Sequence, residues 1–303
     1  MSRRDPTEAA TRSARLGRAF WLVWSSSTIS AFGSAVTPLA LSVLVVRTLH
    51  GGGAEVGLVN GARWLAYPLL GLVVGVLVDR MLRRPALLVT DLGLAVVLAA
   101  VPLLAAVGRL ELPALLALVA VFGVLTLVND AAGQAFAPRL VPAHLLAHAH
   151  GRFDQGAAAA QTAGPALGGA IIAAVGAPLA VLLDAASYLV SATVLLAVRL
   201  PEPPAARASL RGIGREAIEG LRWLYRSGPL RALTLNTHAW FACWAVTGAL
   251  LAPFALRTAS LGPFALGLAL GAAGVGALLG SLAGSARAGP SSPDAPAARS
   301  AGR

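Results

Sequence analysis

Lysine is absent from this 303-residue chain, cysteine occurs once, at Cys243, and only 12% of the residues are charged. A soluble domain carries roughly a quarter of its residues charged, so water is not the main solvent of a chain that is 57% hydrophobic. A lone cysteine inside an apolar run excludes an intrachain disulfide and a cysteine metal site. Basic patches interleaved with aromatics are missing, so the net charge of +11 does not point to nucleic acid. No Walker glycine loop is present, which leaves ATP-driven transport without support. No set of nucleophile, base and orienting group stands out either, so the expectation is a non-enzyme without cofactor. That every basic residue is arginine fits a high-GC coding bias as well as it fits any chemistry.

What is present is a series of apolar runs long enough to cross a bilayer, which takes roughly 20 residues each. They lie at about Phe20 to Val46, Val56 to Val78, Ala86 to Val107, Pro113 to Ala135, Gln155 to Val175, Pro178 to Val198, Leu230 to Leu256 and Pro263 to Gly284. These are spans 1 to 8. The first is too long for the apolar core of a secretory signal and leads directly into further spans. The chain therefore reads as an all-α, polytopic membrane helix bundle.

Charge placement orients it. Of the 24 arginines, all but Arg47, Arg63, Arg109 and Arg257 fall in the tails, in the loops after spans 2, 4 and 6 or, for Arg231, at the very start of span 7. Short cytoplasmic loops collect basic residues, so the amino terminus is expected in the cytoplasm, with the chain passing repeatedly through a membrane. The expected organisation is a basic tail (1–18), a six-helix bundle (19–199), a cytoplasmic linker (200–229), two further spans (230–285) and a disordered tail (286–303) rich in Pro, Ser, Ala and Arg. In the linker, Pro201, Pro203 and Pro204 break the helix. Ile213, Ala217, Leu221 and Leu224 then recur opposite Arg215, Glu219, Arg222 and Arg226, the pattern of an amphipathic helix at a membrane surface. An ordinary solvated loop helix is the other reading.

The stretch Gly71 to Arg84, GLVVGVLVDRMLRR, joins a glycine-lined packing face to a charge cluster. Gly75, Asp79, Arg80, Arg83 and Arg84 fit G-x-x-x-D-R-x-x-R-R, although Leu82 stands where glycine is usual. Gln161 to Gly169, QTAGPALGG, supplies Gly164, Pro165, Gly168 and Gly169. With the linker EAIEGLRWLYRSGPLRAL, these segments resemble the major facilitator superfamily, in particular its bacterial exporters related to enterobactin and macrolide efflux permeases. The resemblance covers about Arg18 to Gly284. It implies a complete six-helix amino-terminal half followed by spans 7 and 8 of a second half, with spans 9 to 12 missing, as in a truncated or split gene.

The same resemblance implies a proton-coupled exporter of small amphipathic molecules such as a siderophore, macrolide or drug. Asp79, Arg80 and Arg83 would form a cytoplasmic latch with Arg84 beside them, and Asp130 would partner Arg83 or Arg80. The arginines alone also satisfy the positive-inside rule. Gly164, Pro165, Gly168 and Gly169 would let span 5 bend and pack closely against span 8, where Gly267 and Gly271 offer a matching surface; glycine and proline are in any case common in membrane helices. Spans 1 and 7 would line the cavity, through Ser27, Ser30, Ser34 and Thr37 and through Asn236, His238 and Trp240, though Ser and Thr also bond to their own helix.

Charged residues inside spans are costly, and Arg63, Asp91, Asp130 and Asp184 are such residues. Asp91, Asp130, Asp184 and His238 are candidate proton carriers, with structural roles the alternative. His144, His148 and His150 cluster before span 5, where a solvated loop is preferred to a metal site. The alternative function is a non-transporting membrane protein, a gene remnant or an accessory subunit pairing with a second chain that supplies helices. Partners are the lipid bilayer, a small-molecule substrate and protons, without nucleic acid.

Overall fold

In lipid a backbone N–H or C=O finds no water to bond, so each apolar run pairs its own backbone as helix. The computed structural model describes residues 16–198 and 213–287, and no strand occurs among them. The helices are α1 (Arg18–Arg47), α2 (Gly53–Trp64), α3 (Ala66–Asp79), α4 (Arg83–Ala106), α5 (Leu112–Phe136), α6 (Leu146–Val175), α7 (Ala177–Ala197), α8 (Ile213–Arg226), α9 (Gly228–Pro253) and α10 (Pro263–Arg287). Spans 1 to 8 correspond to α1, α2 with α3, α4, α5, α6, α7, α9 and α10. Seven spans among the described residues are long and apolar enough to cross a membrane, and the eighth has a shorter apolar helical stretch, Pro263–Gly276. The basic tail up to residue 15, the linker prolines Pro201, Pro203 and Pro204, and the tail from residue 288 lie outside the described residues.

Span 2 is two helices because Pro68 has no N–H for the carbonyl of Trp64, and the helix breaks at Leu65. The turn from α6 to α7 is a single residue, Gly176 at φ +85°, a conformation that a residue with a Cβ rarely adopts. At the start of α2 the Glu55 carboxylate accepts a hydrogen bond from the Gly52 N–H at 2.6 Å.

Helix α6 begins nine residues before the apolar run that announces it. A stripe of small residues, Ala149, Gly156, Ala160 and Gly164, is buried along one face, so packing continues the helix towards its amino terminus. His148 and His150 therefore stand on a helix rather than in a loop.

Helix α1 packs against α6 and α7, α4 against α5 and α7, and α5 against α2 and α3. The apolar core divides in two. One cluster, including Leu44, Val56, Leu98, Leu115 and Val181, fills the end of the bundle near the α1–α2 turn. The other, including Phe20, Val78, Leu87 and Phe136, fills the end near Asp79–Arg84. A polar layer separates them.

Helices α9 and α10 attach to this six-span unit along α2 and α6. The Arg257 guanidinium, in the π-helical turn after α9, donates to the His50 carbonyl at 2.6 Å and ties the end of α9 to the α1–α2 turn. Helix α8 touches α3 and α9. Its Ile218, Leu221 and Trp223 are exposed, and Arg215 pairs with Glu219 on the polar side at 3.6 Å.

Candidate functional site

A cavity of about 540 Å³ opens in the polar layer, walled by all six spans of the first unit. Its size falls within the range of small-molecule sites, about 300 to 1,000 Å³. Span 1 contributes Ser27, Ser30 and Ser34, which recur on one face of α1. Thr37, a turn further along, is buried behind them and donates to Asp184 on α7 at 2.5 Å. Ser30 lies 3.3 Å from the Ser187 hydroxyl and Ser34 3.0 Å from the Tyr188 hydroxyl. Three side chains of α7 thus meet three of α1, and Gly33 makes the approach possible. A Cβ there would meet the Asp184 carboxylate and the Ser187 hydroxyl.

The opposite wall is aromatic and charged. Arg63 and Tyr67 are one turn apart on either side of the break in span 2, so both face the cavity. The Arg63 guanidinium stacks 5.2 Å from the Trp64 ring and 5.8 Å from the Phe122 ring. Gly123 lets α5 press against the Arg63 carbonyl. The Tyr67 hydroxyl donates to Asp130 at 2.6 Å. Asp130 is thus bonded to the cavity tyrosine of span 2. Asn129 beside it donates to both Thr90 and Asp91 of α4, at 2.8 and 2.7 Å. Phe136 and Phe153 add apolar surface. A site of this kind can hold a small molecule with an apolar body and a few polar groups.

The residues after span 2 form a separate cluster. Arg83 donates to the Asp79 carbonyl at 3.1 Å. Arg84 donates to the carbonyls of Leu195 and Leu196 at 2.8 and 3.1 Å, closing the end of α7 where unpaired carbonyls carry the negative end of the helix dipole. Asp79 is exposed, and no other residue stands within 4 Å of where a side chain on Gly71 or Gly75 would begin.

The glycine motif of α6 is sandwiched between two helices. Gly164 and Gly168 abut Ala35 and Val36 of α1, whereas Gly169 faces Pro263 and Gly267 of α10, and Gly267 in turn meets the Pro165 carbonyl. The motif therefore sets the spacing of α6 to both neighbours. On α9, Asn236, His238 and Trp240 are exposed and do not line the cavity. His150 does line it.

Asn129, Tyr67 and Tyr188 belong to the cavity without having been singled out from the sequence. Helical spacing was the available signal: Tyr67 follows Arg63 by one turn, and Tyr188 follows Asp184 likewise.

A family profile described as transmembrane secretion effector matches residues 13–288. No curated protein sequence matches the chain. Among solved structures, a bacterial homologue of the human lysosomal transporter Spinster, inward-facing and unoccupied, superposes with a TM-score of 0.67 at 15% sequence identity. The match covers 89% of this chain and 63% of that one, so this chain spans less than two thirds of the length of the structure it resembles. At that identity the likeness concerns the fold, a multi-pass membrane helix bundle of the major facilitator type.

Proposed function

Because the chain belongs to the transmembrane secretion effector family of the major facilitator superfamily, we propose that it works as a secondary active transporter of small amphipathic molecules. The observation that carries the reading is the cavity of about 540 Å³ within the six-span unit, where Trp64, Phe136 and Phe153 line the same space as Asp130, Arg63 and the serines of α1. The direction is export and the driving force a proton gradient, with substrates of the siderophore, macrolide or drug kind. Alternating access by rocking of two bundles would use Asp79, Arg80 and Arg83 as the latch beneath span 2 and the glycines of α6 as the close contact that holds α6 against α10.

The test is efflux from cells expressing the chain alone, with fluorescent amphipathic dyes, against cells carrying Asp130→Asn. Dye retained by the variant and expelled by the unaltered chain supports the reading; equal retention in both opposes it. The bacterial plasma membrane is the proposed location, with the amino terminus in the cytoplasm. A reporter fused after Arg226 then reports cytoplasm and one at Gly176 the outside, and the reverse pattern refutes the orientation.

A second reading is supported by α9, whose Asn236 and His238 are exposed on a largely apolar helix, with Thr237 between them bonded back to the Leu233 carbonyl. Polar side chains are expensive against lipid, which favours covering of this face by helices of another chain. In this reading the chain is an accessory subunit that does not transport alone, and a larger complex isolated from the native membrane would support it over the first.

A further inference from the structure

Asp91 lies more than two turns inside α4 and is 2% exposed, in the cavity wall between α5 and α7. Its Oδ1 accepts the Asn129 amide at 2.7 Å, and its Oδ2 has no hydrogen-bond partner. The Asn129 nitrogen is also committed to Thr90, whose hydroxyl bonds back to the Ala86 and Leu87 carbonyls. Asn129 and Thr90 thus have no spare donor for the second oxygen, and the Ser191 hydroxyl of α7 stands near the carboxyl without bonding Oδ2. No ion pair of Asp91 is formed among the described residues.

The titratable groups around it do not neutralise a charge there. Asp130 faces it from α5 and Tyr188 from α7, while Arg63, Tyr67, His150 and Asp154 lie on the other walls of the cavity. Asp184, also on α7, is turned towards α1 and bonded to Thr37. Apart from Asp154, which is exposed, the three buried or cavity carboxylates therefore differ. Asp184 has donors on both oxygens; Asp130 has Tyr67 and an exposed position in the cavity. Asp91 alone of the three is enclosed with one oxygen orphaned. An ionised carboxylate in that setting would lack the hydrogen bonds and counter-charge that burial requires, whereas a proton on Oδ2 removes the charge.

We propose that Asp91, held by Asn129 and Thr90, is the proton-binding site of this chain, and the inference rests on the proton-coupled reading above. In the arrangement observed Oδ2 carries the proton. When the wall opens and a cavity water reaches Oδ2, the O–H bond breaks, the proton passes to that water as hydronium, and the carboxylate keeps the electron pair. The ionised group needs more than the single Asn129 donor. Water or the Ser191 hydroxyl of α7, which lines the same cavity, then completes its hydrogen bonding. Proton release in this way shifts α4 relative to α5 and α7, the movement by which a proton can act on the cavity.

Infrared spectroscopy of the full chain in ester-free detergent tests this without transport. At neutral pH the unaltered chain shows a carboxylic-acid C=O band, which Asp91→Asn removes and Asp130→Asn leaves in place. A band that survives Asp91→Asn unchanged overturns the proposal. Should Asp91→Asn not be recovered folded, Asp91→Glu and Asn129→Ala each shift the frequency of the band, and an unshifted band in both overturns it equally. In vesicles, Asp91→Asn abolishes gradient-driven uptake of a fluorescent amphipathic dye but retains dye exchange; gradient-driven dye uptake at the unaltered rate also overturns it. A chain that never transports yet loses the band in Asp91→Asn refutes the transporter reading and supports the proton site.

Discussion

Asp184 of α7 has no solvent exposure, and Gly33 of α1 leaves the space its carboxylate occupies, with Thr37 one turn on donating to the other oxygen. A methyl group at Gly33 would fall on Oδ1 of Asp184 and the Ser187 hydroxyl, near the Asp184 backbone as well. Overpacking of this kind costs about 1–3 kcal/mol. Gly33→Ala is therefore expected to lower the melting temperature of the purified protein. Gly61→Ala, which meets nothing within 4 Å, serves as the control and leaves it unchanged or raised by helix propensity.

The bond between Tyr67 and Asp130 joins span 2, just after its break, to α5. A hydrogen bond to a charged group contributes about 1.5–3 kcal/mol, less where water reaches it, as at this exposed carboxylate. A double-mutant cycle of Tyr67→Phe and Asp130→Asn should give a coupling energy of about 1 kcal/mol in thermal unfolding. Strict additivity of the two single variants would show that the contact contributes nothing.

The helices and the charge cluster at Asp79–Arg84 were legible in the sequence because a 20-residue apolar run and its flanking arginines obey constraints that the bilayer imposes locally. The serines of α1 were legible too, through helical spacing. The partners they meet were not. Ser34 finds Tyr188 and Thr37 finds Asp184 across some 150 residues of chain, and nothing local in either segment records that pairing. The start of α6 was misplaced for a related reason. Ala149 and Gly156 are small rather than apolar, so the packing stripe continues where hydropathy has already fallen. The bond of Asp130 to Tyr67 is another pairing across distant segments that neither segment records.

Arg84 joins α4 to α7 through two backbone carbonyls, Leu195 and Leu196. Its planar guanidinium spans both, whereas a lysine ammonium is a single point of charge. Arg84→Lys is thus expected to destabilise the detergent-solubilised protein by about 1 kcal/mol, and Arg84→Gln by at least as much. Amide hydrogen exchange would place the loss at the end of α7, with faster exchange in its last turn and no change in α1. A uniform increase along the chain would argue against a local tie.

The glycine motif of α6 makes its own geometric demand on α10. A Cβ built on Gly271 stands 3.5 Å from the Cβ of Ala166, within the usual Cβ to Cβ separation of a disulfide, about 3.5–4.5 Å. With Cys243 replaced by serine, the pair Ala166→Cys and Gly271→Cys should form an intramolecular disulfide on mild oxidation in membranes. It would be detected as two joined fragments after proteolysis between α6 and α10. One residue along α6 is a rotation of about 100°, and Leu167 is exposed, so Leu167→Cys with Gly271→Cys should not cross-link. Equal cross-linking of both pairs would mean that α10 slides or rotates freely on α6, and that Gly169 and Gly267 do not lock the two helices in register.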